Sequence, residues 1–296
     1  MKPIPIVFNI GPVQVHTYGI GLAIAFYVAY RYFEKRLKDS GMPYNWVGKS
    51  FLWIIAAAVV GARIVHVIAN ISYYLKFPAQ IPLIWHGGLS SFGGLAGAIP
   101  VGIYLKRKYA PDLRIADTFD KLVPALILAW SIGRILGPQL MFQGGGRPTN
   151  AWYGLQYAGQ VGYRIPVPIF QATEDFIIFL ILLKIEKWMT TKAPPYRSGS
   201  LAIAGLFLWS IPRFWDEYFW LAVPRLWDAV EVFSIILIIS SACAFLILNS
   251  PERRNSQNTQ VYDGEGEDSA NTGMTNANDN EHILVDGLQP DENKPS

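Results

Sequence analysis

Seven apolar stretches succeed one another along the chain, near Tyr18–Phe33, Trp46–Ala69, Leu89–Tyr104, Ile115–Leu136, Val167–Ile185, Leu201–Phe219 and Leu226–Leu248. Each reads as a helix long enough to cross a hydrocarbon core of about 30 Å. The polar gaps between them alternate in character. After the first span come Lys35, Arg36, Lys38 and Lys49, after the third Lys106, Arg107, Lys108 and Arg114, after the fifth Lys184, Lys187, Lys192 and Arg197, and after the last Arg253 and Arg254. The opposite gaps hold only Lys2, Lys76, Arg147, Arg164 and Arg225. Basic residues are retained on the cytoplasmic side. The pattern therefore predicts an all-α polytopic membrane protein of about seven transmembrane helices, N-terminus out and C-terminus in. The first apolar helix is expected to target the chain and to stay in the membrane, since Pro3, Pro5 and Pro12 interrupt the segment before it and no basic region precedes it.

Composition agrees with this reading. Of 296 residues 51% are hydrophobic and 16% charged, where a soluble domain carries about a quarter charged residues. The net charge of +3 conceals an asymmetry. Of 25 bases and 22 acids, the segment from Ser250 onward takes 3 and 10, leaving 22 and 12 for the body. Residues 251–296 are expected to form a disordered acidic cytoplasmic tail, too poor in apolar residues to offset the entropy of ordering. Residues 1–250 are expected to form the membrane domain, with an external segment near 137–166. The bases lie between helices and not along one stripe, so nucleic acid is not an expected partner. Cys243, the one cysteine, stands in an apolar run and reads as a buried packing residue.

Charges inside apolar spans are costly and tend to face a cavity or a partner. They occur at Arg63, at Asp117, Asp120 and Lys121, at Arg134, at Glu174 and Asp175, and at Arg213, Asp216 and Glu217. Arg213 and Glu217 are spaced to share a helix face and pair. Arg63 and Arg134, with Arg213, suit an anionic head group, because guanidinium forks match phosphate oxygens. The third span opens with two Gly-Gly pairs in Trp85–Gly94, which serve either close helix packing or a backbone pressed against a lipid head group. Gly137–Pro166, rich in Gly, Gln, Tyr and Trp, is long enough for a cap, with a flexible glycine linker as the alternative.

In order, the chain carries Tyr18-Gly19, Gly61-Ala62-Arg63, Trp85-His86-Gly87-Gly88-Leu89…Gly93-Gly94, Asp120…Pro124…Gly133-Arg134, Gly146-Arg147-Pro148-Thr149, Gln171…Glu174 and Arg213…Glu217. From about Val15 to Leu248 this series resembles the prolipoprotein diacylglyceryl transferases. It departs from them at Phe92, where the family has His, at Gly137, where it has Asn, and at Thr173, where it has Tyr. The resemblance implies a multi-pass enzyme of the bacterial cytoplasmic (inner) membrane. It would transfer the diacylglyceryl group of phosphatidylglycerol to the lipobox cysteine of prolipoproteins, recognised through their signal peptides among membrane lipids. That chemistry needs no metal or organic cofactor. Arg134 and Arg213 would hold the phosphate. Glu174 and Glu217 would orient the arginines, or one of them would take the thiol proton. With no His at Phe92, His86 or His66 stands as an alternative base. Tyr18, Arg63, Gly93 and Gly94 would line the lipid site. Two other readings stay open at this point: a catalytically impaired phospholipid-binding relative, and a small lipid transporter.

Overall fold

The computed structural model describes residues 6–10, 13–84, 88–141, 143–191, 196–220 and 227–250. It is mostly helical. α1 (Thr17–Asp39), α2 (Asn45–Ala69), the single turn α3 (Ile71–Tyr74), α4 (Ser91–Tyr109), α5 (Ile115–Leu136), α6 (Val167–Thr191), α7 (Ser200–Trp220) and α8 (Ala229–Leu248) follow in order. The described part of each of the seven apolar stretches falls mainly on one long helix. The all-α expectation needs one correction, since two small antiparallel pairs are present. β1 (Ile6–Ile10) pairs with β2 (Val13–His16), and β3 (Leu155–Gln156) with β4 (Tyr163–Arg164). Both are short and lie outside the apolar runs, where no helical period could announce them. The predicted tail, 251–296, lies outside the described residues.

The helices pack as a series. α4 lies on α2, α2 meets α1, α1 packs on α5, and α5, α6 and α7 contact one another, with α8 on α7. Two features bring α2 and α4 together. Gly61, Gly93 and Gly97 leave room for backbone against backbone: a methyl built on Gly93 would stand 2.4 Å from the Gly61 carbonyl oxygen, and one on Gly97 2.2 Å from that of Ala57. Ser90 then ties the start of α4 to α2, its N–H donating to the Ala62 carbonyl at 3.0 Å, while its hydroxyl caps α4 by accepting from the Gly93 N–H at 3.4 Å. The second apolar core lies between α5, α6 and α7, around Ile127, Ile178, Phe179 and Leu182.

Two helices, α2 and Val230–Leu248 of α8, are long and apolar enough to cross a membrane by length and composition. Large side chains on both point away from the protein: Leu52, Trp53 and Ile68 on α2, and Ile236, Ile239 and Leu246 on α8. So much outward apolar surface suits an apolar solvent. Cys243 is exposed on α8, and not buried as expected; on a helix that is apolar all round, the run of residues does not say which side meets protein.

Helix ends are tied by side chains from other helices. Asp120 of α5 accepts from the backbone N–H groups of Gly199 (2.6 Å) and Ala202 (2.7 Å), and so caps α7 from a neighbouring helix. At the same end Glu186 of α6 accepts from Arg36 Nη2 (2.9 Å) and Lys121 Nζ (2.8 Å), joining α1, α5 and α6. Lys106, expected in a solvated basic cluster, is buried there and donates to the Pro111 carbonyl at 3.3 Å. Glu186 stands one residue beyond the predicted span. Burial pushes its carboxyl up, but hydrogen bonds and charge from Lys121 and Arg36 outweigh burial and hold it below its ordinary value. A carboxyl lowered in the folded state contributes stability above its unfolded pKa and loses it as pH falls through the folded value. Thermal unfolding of detergent-solubilised protein should therefore show an acid-side loss of stability. Glu186→Gln should flatten that loss at a cost of about 1–3 kcal/mol near neutrality. An unchanged acid slope in the variant would remove Glu186 from the account.

Candidate functional site

The ends of α5, α6 and α7 opposite the Arg36–Lys121–Glu186 cluster carry the other group of buried charges. Arg213 of α7 is 6% exposed. Its Nη2 lies 3.1 Å from Asp175 Oδ1 and 3.8 Å from Glu174 Oε2, and its Nε 3.3 Å from Asp216 Oδ2. Asp175 is fully buried, and Asp216 and Gln171 nearly so. Gln171 donates to Asp216 Oδ2 at 3.0 Å. The second arginine, Arg134 of α5, lies 5.9 Å from the centre of the Trp130 ring, and its charge acts on both Asp175 and Asp216. Ser131, one turn before it, fastens α5 to α6 by donating to the Ala172 carbonyl at 2.7 Å.

Helical spacing puts these groups together. Gln171 and Asp175 are one turn apart on α6, and Arg213 and Asp216 one turn apart on α7. Arg134 is in the last turn of α5. Sequence reasoning paired Arg213 with Glu217, and the structure corrects this. The partners of Arg213 are Asp216 on its own helix and Asp175 with Glu174 on the next. Glu217 instead feels the charges of Asp228 and Glu231 at the start of α8. Asp175 and Asp216 had stood only as in-span charges. The signal that could have singled them out is their spacing from Gln171 and Arg213 within otherwise apolar faces.

Several polar atoms here are buried without a hydrogen-bond partner among the described residues: Arg213 Nε and Nη1, Asp175 Oδ2, Glu174 Oε2 and Gln171 Oε1. Buried polar groups are nearly always satisfied, so a cluster of exceptions marks a place built for something else to bind. Guanidinium and carboxylate together suit an anionic group that also carries hydroxyl donors.

A cap covers this end. The described residues of 137–166 are held by backbone pairing and are not a free glycine linker. Gly146 N–H donates to Ile165 O (2.9 Å), Ile165 N–H to Arg147 O (3.1 Å), and Arg147 N–H to Phe219 O (2.9 Å), which latches the cap to the last turn of α7. The Arg147 guanidinium lies 4.2 Å from the centre of the Tyr218 ring. Inside the cap Tyr157 donates to Gln139 Oε1 at 2.5 Å. Burial, only partly countered by Gln139, pushes the phenol up to about 12.

The remaining predicted residues separate from this cluster. Arg63 gives its donors to the chain: Nε to Ile81 O (2.8 Å), Nη1 to Gly88 O (2.9 Å) and Nη2 to Gln80 O (2.7 Å). It staples the segment that leads into α4, and so does not converge with Arg134 and Arg213. His66 lies against Gly88, whose φ of +77° only glycine adopts freely, and stacks edge-on to Tyr74. Gly93 is in the α2–α4 contact, whereas a methyl on Gly94 would meet only ordinary neighbours. Thr173 bonds back to the Ile169 carbonyl at 2.9 Å, and Gly137 closes the end of α5. Tyr18 stands at the second position of α1. The side chains of Tyr18 and Phe92, and the whole of His86, lie outside the described residues.

Comparison with known proteins finds a match to the family profile described as prolipoprotein diacylglyceryl transferase over residues 5–247. Proteins named phosphatidylglycerol–prolipoprotein diacylglyceryl transferase are similar to this chain. The one from Fervidobacterium nodosum is 32% identical over 263 residues, 84% of this chain and 87% of its own. The one from Staphylococcus carnosus is 34% identical over 226 residues, 72% and 78%. The one from Tolumonas auensis is 32% identical over 222 residues, 73% and 82%.

Proposed function

The chain belongs to the prolipoprotein diacylglyceryl transferase family, and from that premise we propose that it transfers the diacylglyceryl group of phosphatidylglycerol to the cysteine thiol of prolipoproteins. The observation that carries the assignment to a site is the buried Arg213, ion-paired to Asp175 and Asp216, with Nε and Nη1 buried without a hydrogen-bond partner among the described residues. In the reaction the thiol sulfur attacks the glyceryl carbon that bears the phosphate. The carbon–oxygen bond breaks toward oxygen, glycerol phosphate departs with the electron pair, and the thiol proton passes to a base. Negative charge on the phosphate grows as that bond opens. Donors already aimed at it stabilise the transition state more than the bound lipid.

In this reading Arg213 and Arg134 hold the phosphate. Glu174, the most exposed acid of the cluster at 37% of its side chain, receives the proton. Glu217, set apart in the last turn of α7 near the acids that open α8, shapes the rim. Arg63 keeps its scaffold role, and Tyr18 and Gly94 keep the place in the lipid site that the family resemblance implies. The protein is read as multi-pass in the bacterial cytoplasmic membrane, seven spans, N-terminus out, with the cap end outward toward exported substrates. The readings as an inactive phospholipid-binding relative or a small transporter are not favoured, because the similar proteins bear the transferase name.

The test has two arms. Complementation of a bacterium depleted of its own transferase should restore lipoprotein modification. Purified protein should lipidate a lipobox peptide with phosphatidylglycerol as donor, slowly near neutral pH and faster toward a thiol pKa of about 8.5, since Phe92 supplies no imidazole and a carboxylate such as Glu174 is a weak base toward a thiol. Failure in both arms would refute the assignment. A rate already high and flat below neutrality would show that Glu174 or a histidine takes the proton efficiently.

A further inference from the structure

The acids around Arg213 have an effect on anion binding whose sign can be tested. A guanidinium is planar, so fixing two of its nitrogens fixes the direction of the third. Asp175 accepts a hydrogen bond from Nη2 at 3.1 Å, from α6, and Asp216, one turn along α7, restrains Nε as an ion pair at 3.3 Å. Gln171 holds Asp216 in turn, at 3.0 Å. Nη1 is buried with neither a hydrogen bond nor an ion pair among the described residues, whereas Nε, also without a hydrogen bond, has the Asp216 carboxylate beside it as an ion pair. Asp175 is fully buried and Asp216 and Gln171 almost so, so none of the three is placed to touch substrate freely.

We propose that Asp175 and Asp216, the latter braced by Gln171, are positioning residues that aim Arg213 Nη1 at the phosphate of the departing glycerol phosphate. The proposal rests on the transferase reading and adds to it two carboxylates and an amide that act through the arginine. It makes a counterintuitive demand. Through-space electrostatics alone says that removing a carboxylate beside Arg213 strengthens binding of any anion. Positioning says that removal weakens it, because a loosened guanidinium no longer presents its free edge.

The experiment uses the full chain in detergent, with glycerol phosphate as probe for binding and with kcat and KM for phosphatidylglycerol measured in parallel. Asp175→Ala and Asp216→Ala should weaken glycerol phosphate binding by about tenfold or more, and should lower kcat with little change in KM. Asp175→Asn, which keeps an oxygen acceptor, should recover much of the loss. Gln171→Leu, whose one side-chain bond goes to Asp216, should give a smaller loss of the same kind and guards against an alanine variant that does not fold. Variants that bind the probe as tightly as wild type, or more tightly, overturn the proposal. So does a set in which every variant loses its fold, which would mark these residues as scaffold. Wild-type protein that binds the probe but modifies no lipobox peptide would instead overturn the transferase reading.

Discussion

Replacing Arg213 by lysine is expected to lower the rate of diacylglyceryl transfer by about 10²–10³-fold in kcat, the range for losing one preorganised donor at developing charge, while folded protein still accumulates. Lysine keeps a positive charge among Asp175, Asp216 and Glu174. It has no fork, however, so it cannot hold two carboxylates and direct a further donor at a third place. Arg213→Ala should behave differently. It leaves buried carboxylates without their cation, at a cost of about 3–5 kcal/mol, and the expected result is little folded protein. The pair of variants separates chemistry from scaffold. Single-turnover transfer to a lipobox peptide reads the first, and the yield of monodisperse protein reads the second. A lysine variant with wild-type kcat would make Arg213 a counter-ion for its acids and nothing more.

The second large effect is expected where α2 meets α4. Gly93→Val and Gly97→Val should abolish or sharply reduce folded protein, because the atoms a side chain would strike, the carbonyl oxygens of Gly61 and Ala57, are backbone and cannot turn aside. Overpacking costs about 1–3 kcal/mol where neighbours adjust, and here the whole helix must move. Gly94→Ala is the control: its nearest new contact is 3.7 Å away, and the gain in helix propensity of up to about 1 kcal/mol offsets any crowding. Thermal stability and yield in detergent decide. A Gly93 variant that folds normally but loses affinity for phosphatidylglycerol would restore this glycine to the lipid site, where sequence reasoning first put it.

These two cases show what a single sequence makes legible. Runs of apolar residues located the long helices to within a few residues, because the driving feature, length of apolar chain, is local. The charged positions were equally plain, since charge in an apolar run is conspicuous. What could not be read was which partner each charge meets. Arg213 and Glu217 have ideal spacing for a pair within one helix, yet the cluster is closed by Asp175 from α6 and by Asp216. Arg63 was taken for a head-group ligand because an arginine in a span needs an anion or an acceptor. Its acceptors are carbonyls of Gln80, Ile81 and Gly88, and a backbone carbonyl has no signature in sequence. The cap was ambiguous for a related reason. Gly144, Gly145 and Gly146 read equally as linker and as close contact, and contact is what holds at Gly146, whose added methyl would lie 2.5 Å from the Phe219 oxygen.

The Arg63 staple also bears on the order in which the protein is assembled. Its three acceptors lie only 17 to 25 residues further along the chain, and α2 and α4 pack mainly on each other. Contacts so close in sequence close at small entropic cost and form early. Synthesis proceeds from the N-terminus at about 5–20 residues per second. The α2–α4 hairpin is thus complete once Tyr109 has left the ribosome, while Arg134 and Arg213 have yet to emerge from it. The guanidinium of Arg63 then already has its donors satisfied by its own loop, and the helices that carry Arg134 and Arg213 are added afterwards to a finished half.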